Sequence, residues 1–360
     1  MKNIFKLLAF LPLLTACDDL FEPALENNRD LEAMYKEPSY AQGILANAYI
    51  ILPYETSPTS DLATDDAVTN EISSNYLRMA TGSWTANNNP VSQWQNRFNA
   101  IQYINLFLEN VDKVEWAKDE RISTMFLDRL KGEAYGLRAL HMYYLLRAHG
   151  GKIADGTLMG VPIILKSEGP DADFNHARAT YSDCVKQIME DADKAIELLP
   201  LDYKKFADSE IPEKYKNIGV TNASDYRRVC GEEYRGLMSG RIALAVRAQT
   251  ALLAASPAFQ SGSGMTWEQA ADYAAEIIEK ANGGGGCGLD ADGLEWYTLA
   301  DKDYGTGGSP AEVIWRSSTD DNNTLETANF PPSLYGNGRV NPTQNLVDAF
   351  PMANGYPISE

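Results

Sequence analysis

Residues 132–151 read GEAYGLRALHMYYLLRAHGG, and this stretch decides the fold. Apolar or small side chains recur at Ala134, Leu137, Leu140, Tyr144, Leu145 and Ala148, the three-and-four spacing of one helix face. The periodicity predicts one long helix. Gly136 and Ala139 stand among bulky neighbours, so a second helix can approach closely there. The Gly150–Gly151 pair supplies the left-handed backbone that commonly terminates a helix. A stripe of this kind belongs to a helical protein of some sort. What kind depends on its neighbours.

Working outward, the same period appears on both sides. Upstream, Tyr40–Leu52 places Tyr40, Ile44, Leu45, Ala48 and Leu52 on one face and is closed by Pro53. Val91–Val111 places Trp94, Phe98, Ile101, Ile104, Leu108 and Val111 on another. Downstream, Thr180 with Asp183 opens a helix in the manner of a capping box, with its stripe running from Tyr181 to Leu199. Gly240–Ser256 is alanine-rich, in register from Ile242 to Ser256, and stopped by Pro257. Thr266 with Gln269 caps a last helix, whose face carries Trp267, Ala270, Ala274, Ile277, Ile278 and Ala281. Three helix pairs are thus expected: 40–52 with 91–111, 133–149 with 180–199, and 240–256 with 266–281. Stacked pairs hide one another's apolar faces, as in tetratricopeptide solenoids. The spacing here is irregular, so the expected fold is mostly α: tetratricopeptide-like helix pairs with long irregular loops and a few short strands. The loops are residues 53–90 and 201–238 and the glycine-rich stretch from 287 onward. Leu158–Leu165 is expected as an extended edge segment, and Ala311–Ser318 as a strand.

The ends and the composition narrow the biology. Lys2 and Lys6 precede an apolar run, Leu7–Leu14, too short to span a bilayer, and Leu14-Thr15-Ala16-Cys17 follows. Residues 1–16 therefore read as a lipoprotein signal peptide, with Cys17 the lipidated residue. Residues 17–38 read as anchor and tether, and 39–360 as the folded domain. Each buried methylene of an acyl chain contributes about 0.8 kcal/mol, and several chains together hold a protein on a membrane. Fifty acidic residues against 31 basic give a net charge of -19, which excludes a nucleic-acid binder reliant on a basic face. Three cysteines remain after Cys17, with no Cys-x-x-Cys, so no disulfide framework is expected; Cys184 reads as a buried free thiol.

Several segments, in order, resemble one family. Glu133, Ala134, Leu137, Arg138, Ala139, Tyr143, Leu146 and Gly150–Gly151 match the signature helix of the SusD/RagB family, nutrient-binding surface lipoproteins of Bacteroidetes-type bacteria. Trp94, Phe98, Ile101, Asn105, Leu108 and Val111 match its preceding helix, and Gly160-Val161-Pro162-Ile163 its Gly-x-Pro segment. Arg241, Ala243, Ala245, Ala248, Ala254, Ser256 and Pro257 match its alanine-rich helix, and 342–350 (PTQNLVDAF) its late Pro-Thr…Asp-Ala-Phe segment. Asp18 and Asp19 after Cys17 resemble the family's surface-export signal. The resemblance implies a lipid-anchored protein exposed on the outer membrane, with a SusC-like TonB-dependent transporter as partner and an oligosaccharide as ligand. A peptide ligand, or a tetratricopeptide-type interaction scaffold without a small ligand, are the alternatives. Family members continue well past the late segment, so a chain ending at Glu360 is expected to be incomplete at its C-terminus and unstable or aggregation-prone by itself.

Motifs for chemistry are missing. Gly283–Gly286 lacks a following Gly-Lys-Ser/Thr, Gly-x-Ser-x-Gly is absent, and Asp290-Ala-Asp292-Gly293 is half a calcium loop with its glycine too early. His141, His149 and His176 have no zinc-ligand spacing. No catalytic residue, metal or cofactor is expected. Ligand contacts should come from loop aromatics, which stack on sugar faces, and from polar neighbours. The candidates are Trp84 with Asn87 and Asn88, then Trp296 and Tyr297, then Tyr335 and Arg339. Trp94 and Trp267, on helix faces, read as core, and Trp315, mid-strand, as structural. The signature helix itself reads as support, with its Arg138, His141 and tyrosines outside any ligand site.

Overall fold

The protein is seen in a computed structural model that describes residues 31–53, 60–85, 87–280, 313–315 and 322–357. Cys17, Cys287, Asp290, Asp292, Trp296 and Tyr297 lie outside the described residues, as do most of 311–318. Among the described residues, six helices reach thirteen residues or more: α1 (Pro38–Ile50), α2 (Trp94–Asn110), α3 (Glu120–His149), α4 (Tyr181–Leu198), α5 (Gly240–Ala255) and α6 (Trp267–Lys280). Each packs on the next in chain order, and α3 against α4 is the most extensive contact. The expected helix pairs and the mostly α class are therefore present. No helix among the described residues is long and apolar enough to cross a membrane.

The central helix is longer than its signature. α3 starts at Glu120, where the Asp119 carboxylate accepts from the Arg121 amide, and runs 30 residues. The added first turns carry Ile122 and Met125 into a second, smaller core with Phe206, Tyr215, Tyr226 and Val229. The 201–238 stretch is thus a packed subdomain, with helices at Glu213–Lys216 and Ala223–Cys230, where a loop was expected. At its other end α3 does not stop on a left-handed residue. Gly150 leaves in extended backbone (φ -74°, ψ 152°), and a Cβ there would lie 2.7 Å from the Leu146 carbonyl oxygen and 2.9 Å from the Tyr181 ring. Close approach, not handedness, requires that glycine. At Gly136 the neighbour is Met238, and Ala195 of α4 also comes near.

Buried polar residues tie the stack together. The Arg138 guanidinium of α3 donates from Nε and Nη2 to the Asp191 carboxylate of α4 at 2.7 and 2.8 Å, and from Nη1 to Asn105 Oδ1 of α2 at 2.9 Å. Asn105 in turn donates to the Ile164 and Lys166 carbonyls, fixing the extended 160–166 segment. Breaking such a buried pair from one side costs about 3–5 kcal/mol, since the remaining charge has no solvent. Two more α3 residues, Glu133 and Arg129, pair at 3.4 Å, and Glu133 Oε2 accepts from the Tyr49 hydroxyl at 2.8 Å. Burial raises the Glu133 carboxyl pKa, and Arg129 and the Tyr49 hydrogen bond oppose that shift.

Strand structure is sparse. β2 (Gly151–Lys152) and β3 (Leu158–Met159) form a small antiparallel hairpin after α3. β1 (Ala67–Thr69) pairs antiparallel with β4 (Val340–Pro342), Val68 opposite Asn341, and brings the late segment beside the 60–80 loop. The late segment also holds helices at Thr324–Asn329 and Gln344–Ala349. In Val313–Trp315, the described part of the expected strand, no strand is assigned; Trp315 Nε1 donates to the Gly236 carbonyl at 2.8 Å. Two expectations about tryptophans fail. Trp94 and Trp267, each the first residue of its helix, are 43% and 48% exposed and lie outside the core.

Candidate functional site

Beside the α1–α3 end of the stack lies an open cavity of about 710 Å³. Its first wall is the start of α2, with Gln93, Asn96 and Arg97. Its second is the last turn of α3, with Tyr144, Arg147 and Ala148. The third is the loop after α1: Leu52, Pro53, Ser60, the short helix residues Asn75, Tyr76 and Met79, then Trp84 and Asn89–Ser92. Local chemistry sets that loop. Ser74 caps the Asn75–Ala80 helix by accepting from the Leu77 amide, and Thr81 closes it through its hydroxyl on the Leu77 carbonyl. Thr85 and Asn88 then bridge, with Asn88 N donating to Thr85 O at 3.0 Å, and Trp84 stands at the edge of this turn, 46% exposed.

The two helical walls are locked to each other. The Gln93 amide at the start of α2 donates to His149 Nε2 at 3.0 Å, so that imidazole is neutral and carries its proton on Nδ1. Burial, and then the Arg178 charge, lower the His149 pKa, which agrees with that tautomer. Trp94 meets the His149 ring edge-on at 5.4 Å. Deeper in, Arg97 Nη1 lies 3.1 Å from His141 Nδ1, while His141 Nε2 lies 3.1 Å from the Ala48 carbonyl. A guanidinium only donates and a carbonyl only accepts, so His141 is neutral with its proton on Nε2. Arg97 is 3% exposed, and burial lowers its pKa against an opposing interaction with Tyr144. The Arg147 guanidinium covers the Tyr144 ring at 4.6 Å.

The sequence candidates separate here. Trp84 lines the cavity. Asn87 and Asn88 are exposed in the same turn, and the cavity takes Asn89 in their place. Arg339 lines a second hollow of about 310 Å³ with Thr69, Glu71 and Asn329, which shares Asn75 and Tyr76 with the first. The β1–β4 ladder puts it there. Tyr335 is 97% exposed with a left-handed φ of 65°, and lines neither hollow. Tyr144, Arg147, Arg97 and Asn96 were not anticipated, because they lie on helices read as scaffold. The available signal was Tyr144 with Arg147, an aromatic and a cation one turn apart at a helix end. Among the described residues no group of three or more histidine, cysteine or carboxylate side chains is placed to hold a metal.

Comparison with known proteins gives one family. The model for SusD-like proteins, "starch-binding associating with outer membrane", matches residues 25–214, more than half of the chain. Solved structures share the fold at low identity. A SusD-like protein from Bacteroides fragilis superposes with a TM-score of 0.63 at 18% identity, covering 92% of this chain and 56% of its own. A SusD-like carbohydrate-binding protein from the same species gives 0.57 at 18%, covering 90% and 55%. A SusD superfamily protein from Bacteroides vulgatus gives 0.57 at 17%, covering 90% and 60%. The chain thus spans little more than half the length of these structures. No curated protein matches it.

Proposed function

This chain belongs to the SusD-like family of starch-binding, outer-membrane-associated proteins, and from that premise we propose that it captures an oligosaccharide at the bacterial surface and passes it to a TonB-dependent outer-membrane transporter. The observation that supports this reading is the cavity at Trp84. It is open, it presents a half-exposed indole, and its walls carry the amides of Asn75, Asn89, Gln93 and Asn96. A sugar ring offers an apolar face to such an indole and hydroxyls to such amides. The protein acts as a binder without a catalytic residue. Cys17 is the site of the lipid anchor, and the anchored protein faces the exterior.

The test is a glycan array probed with the lipid-free protein and its Trp84→Ala variant. Loss of one stacking face and its burial is expected to weaken binding about tenfold, equivalent to about 1.4 kcal/mol. Trp84 is half-exposed, so the variant keeps its fold. Binding that survives the substitution unchanged removes Trp84 from the site, and an array without any bound glycan refutes the reading.

A further inference from the structure

The charge inside the cavity runs against the charge of the protein. The chain has a net charge of -19, yet among the described residues no carboxylate lines the cavity at Trp84, and two guanidiniums do, Arg97 and Arg147. Elsewhere several arginines hold carboxylates: Arg138 with Asp191, Arg241 with Asp202, Arg247 with Asp193. Among the described residues neither cavity arginine has such a partner.

Arg97 is the sharper case. It is 3% exposed, its Nη1 rests on a neutral imidazole, and its Nε is buried without a hydrogen-bond partner. A buried cation without a counter-charge is costly, and the cost is recovered when an anion arrives. His141 holds the guanidinium in place without neutralising it, and the Ala48 carbonyl fixes His141. Arg147 stands exposed on the same wall, over Tyr144. A planar guanidinium is suited to the paired oxygens of a carboxylate or sulfate.

We propose that the ligand is an anionic glycan, one bearing a carboxylate or a sulfate that sits against Arg97 and Arg147 while a sugar face stacks on Trp84. This rests on the glycan reading above and narrows it to a chemical class.

The experiment pairs each anionic glycan with a neutral counterpart on the same backbone. Oligogalacturonate is compared with its methyl ester, β-1,4-mannuronate oligosaccharides with β-1,4-mannan oligosaccharides, and dextran sulfate with dextran, all within the full array. The expected result is at least about a tenfold preference for the charged member of one pair. That preference should shrink as salt is raised, because part of the site is open to solvent. Preference in the uronate pairs identifies a carboxylate, and in the dextran pair a sulfate. Arg147→Gln, an exposed substitution, should remove most of the preference, and Arg147→Lys should restore part of it. The proposal is overturned if methyl-esterified and free-acid glycans bind alike, or if the preference ignores Arg147. A neutral glycan lost on Trp84→Ala but indifferent to Arg147→Gln would sink this inference alone and leave the glycan reading standing. An array without any bound glycan sinks both.

Discussion

The buried imidazole of His141 gives this fold a pH dependence that can be calculated from one side chain. Between Arg97 and the Ala48 carbonyl it has no room for a second proton, and burial first, then the Arg97 charge, pull its pKa from 6.5 to about 3. In the unfolded chain the same ring titrates near its ordinary value of about 6.5. A depressed folded pKa means that stability is present above the unfolded value and is lost as pH falls. Between these limits the unfolded state binds one proton more than the folded state, so the residue removes about 1.4 kcal/mol per pH unit below about pH 6.5. Urea unfolding over this window should therefore show a shallower slope for His141→Gln than for the unchanged protein. Equal slopes would show that His141 carries a proton in the folded state. None of this was legible in the sequence beyond the position of His141 on a helix. Its partners are 44 and 93 residues away, and hydrogen bonds over such separations leave no local pattern. The Asn105–Arg138–Asp191 bridge was hidden for the same reason, although Asn105 and Arg138 both stand in stretches the family resemblance singled out.

At the scale of elements, periodicity was a good guide wherever a helix faces a neighbour along its length. The capping pairs were legible as well: Thr180 accepts from the Asp183 amide at 3.0 Å, and Thr266 and Gln269 exchange bonds at 3.0 and 3.2 Å. Three-residue strands are too short to show alternation, so β1 and β4 could not be read, and they are what carries Arg339 to the 60–80 loop. The extended segment after α3 was legible through its proline, but not its dependence on Gly160. Gly160 N donates to the Ala179 carbonyl at 2.8 Å, and Ala179 N to the Val161 carbonyl at 3.2 Å. A Cβ at Gly160 would lie 2.9 Å from the Thr180 carbonyl oxygen and would press on the Cys184 thiol. The thiol is a buried side chain with little room to shift, and the carbonyl begins α4 and cannot move without it. Gly160→Ala should therefore destabilise the protein by about 1–3 kcal/mol, the usual effect of overpacking. The midpoint of urea unfolding measures it, and an unshifted midpoint would show that the segment relaxes away from α4.

For the whole molecule, the stack has two unlike ends. At the α1–α3 end the aromatic and polar side chains line the cavity at Trp84. Trp84 itself was legible, as an indole in a stretch without helical period. Tyr144 and Arg147 were not, because periodicity assigns a helical residue to a face without saying where that face opens. The same gap misplaced Trp267 at the other end. α6 is amphipathic, yet Ala270 is its one buried residue. Its apolar face and that of α5 border a groove of about 370 Å³ lined by Ala245, Ala248, Leu252, Trp267, Ala274 and Ile277, among others. Leu252, Trp267 and Ile278 are 56%, 48% and 45% exposed. A contiguous apolar surface of this kind draws apolar solutes out of water, whatever else it meets. The native protein should therefore bind an apolar fluorescent dye such as anilinonaphthalene sulfonate without prior unfolding. Leu252→Glu with Trp267→Glu should abolish most of that signal. Both side chains are half-exposed, so the double variant should keep its unfolding midpoint, within about 0.5 kcal/mol per site. It should also keep its glycan affinity, since the groove is separated from the Trp84 cavity by the intervening helices of the series. Dye fluorescence that persists in the double variant would mean that the signal arises elsewhere, and that this face is shielded from solvent in the folded protein.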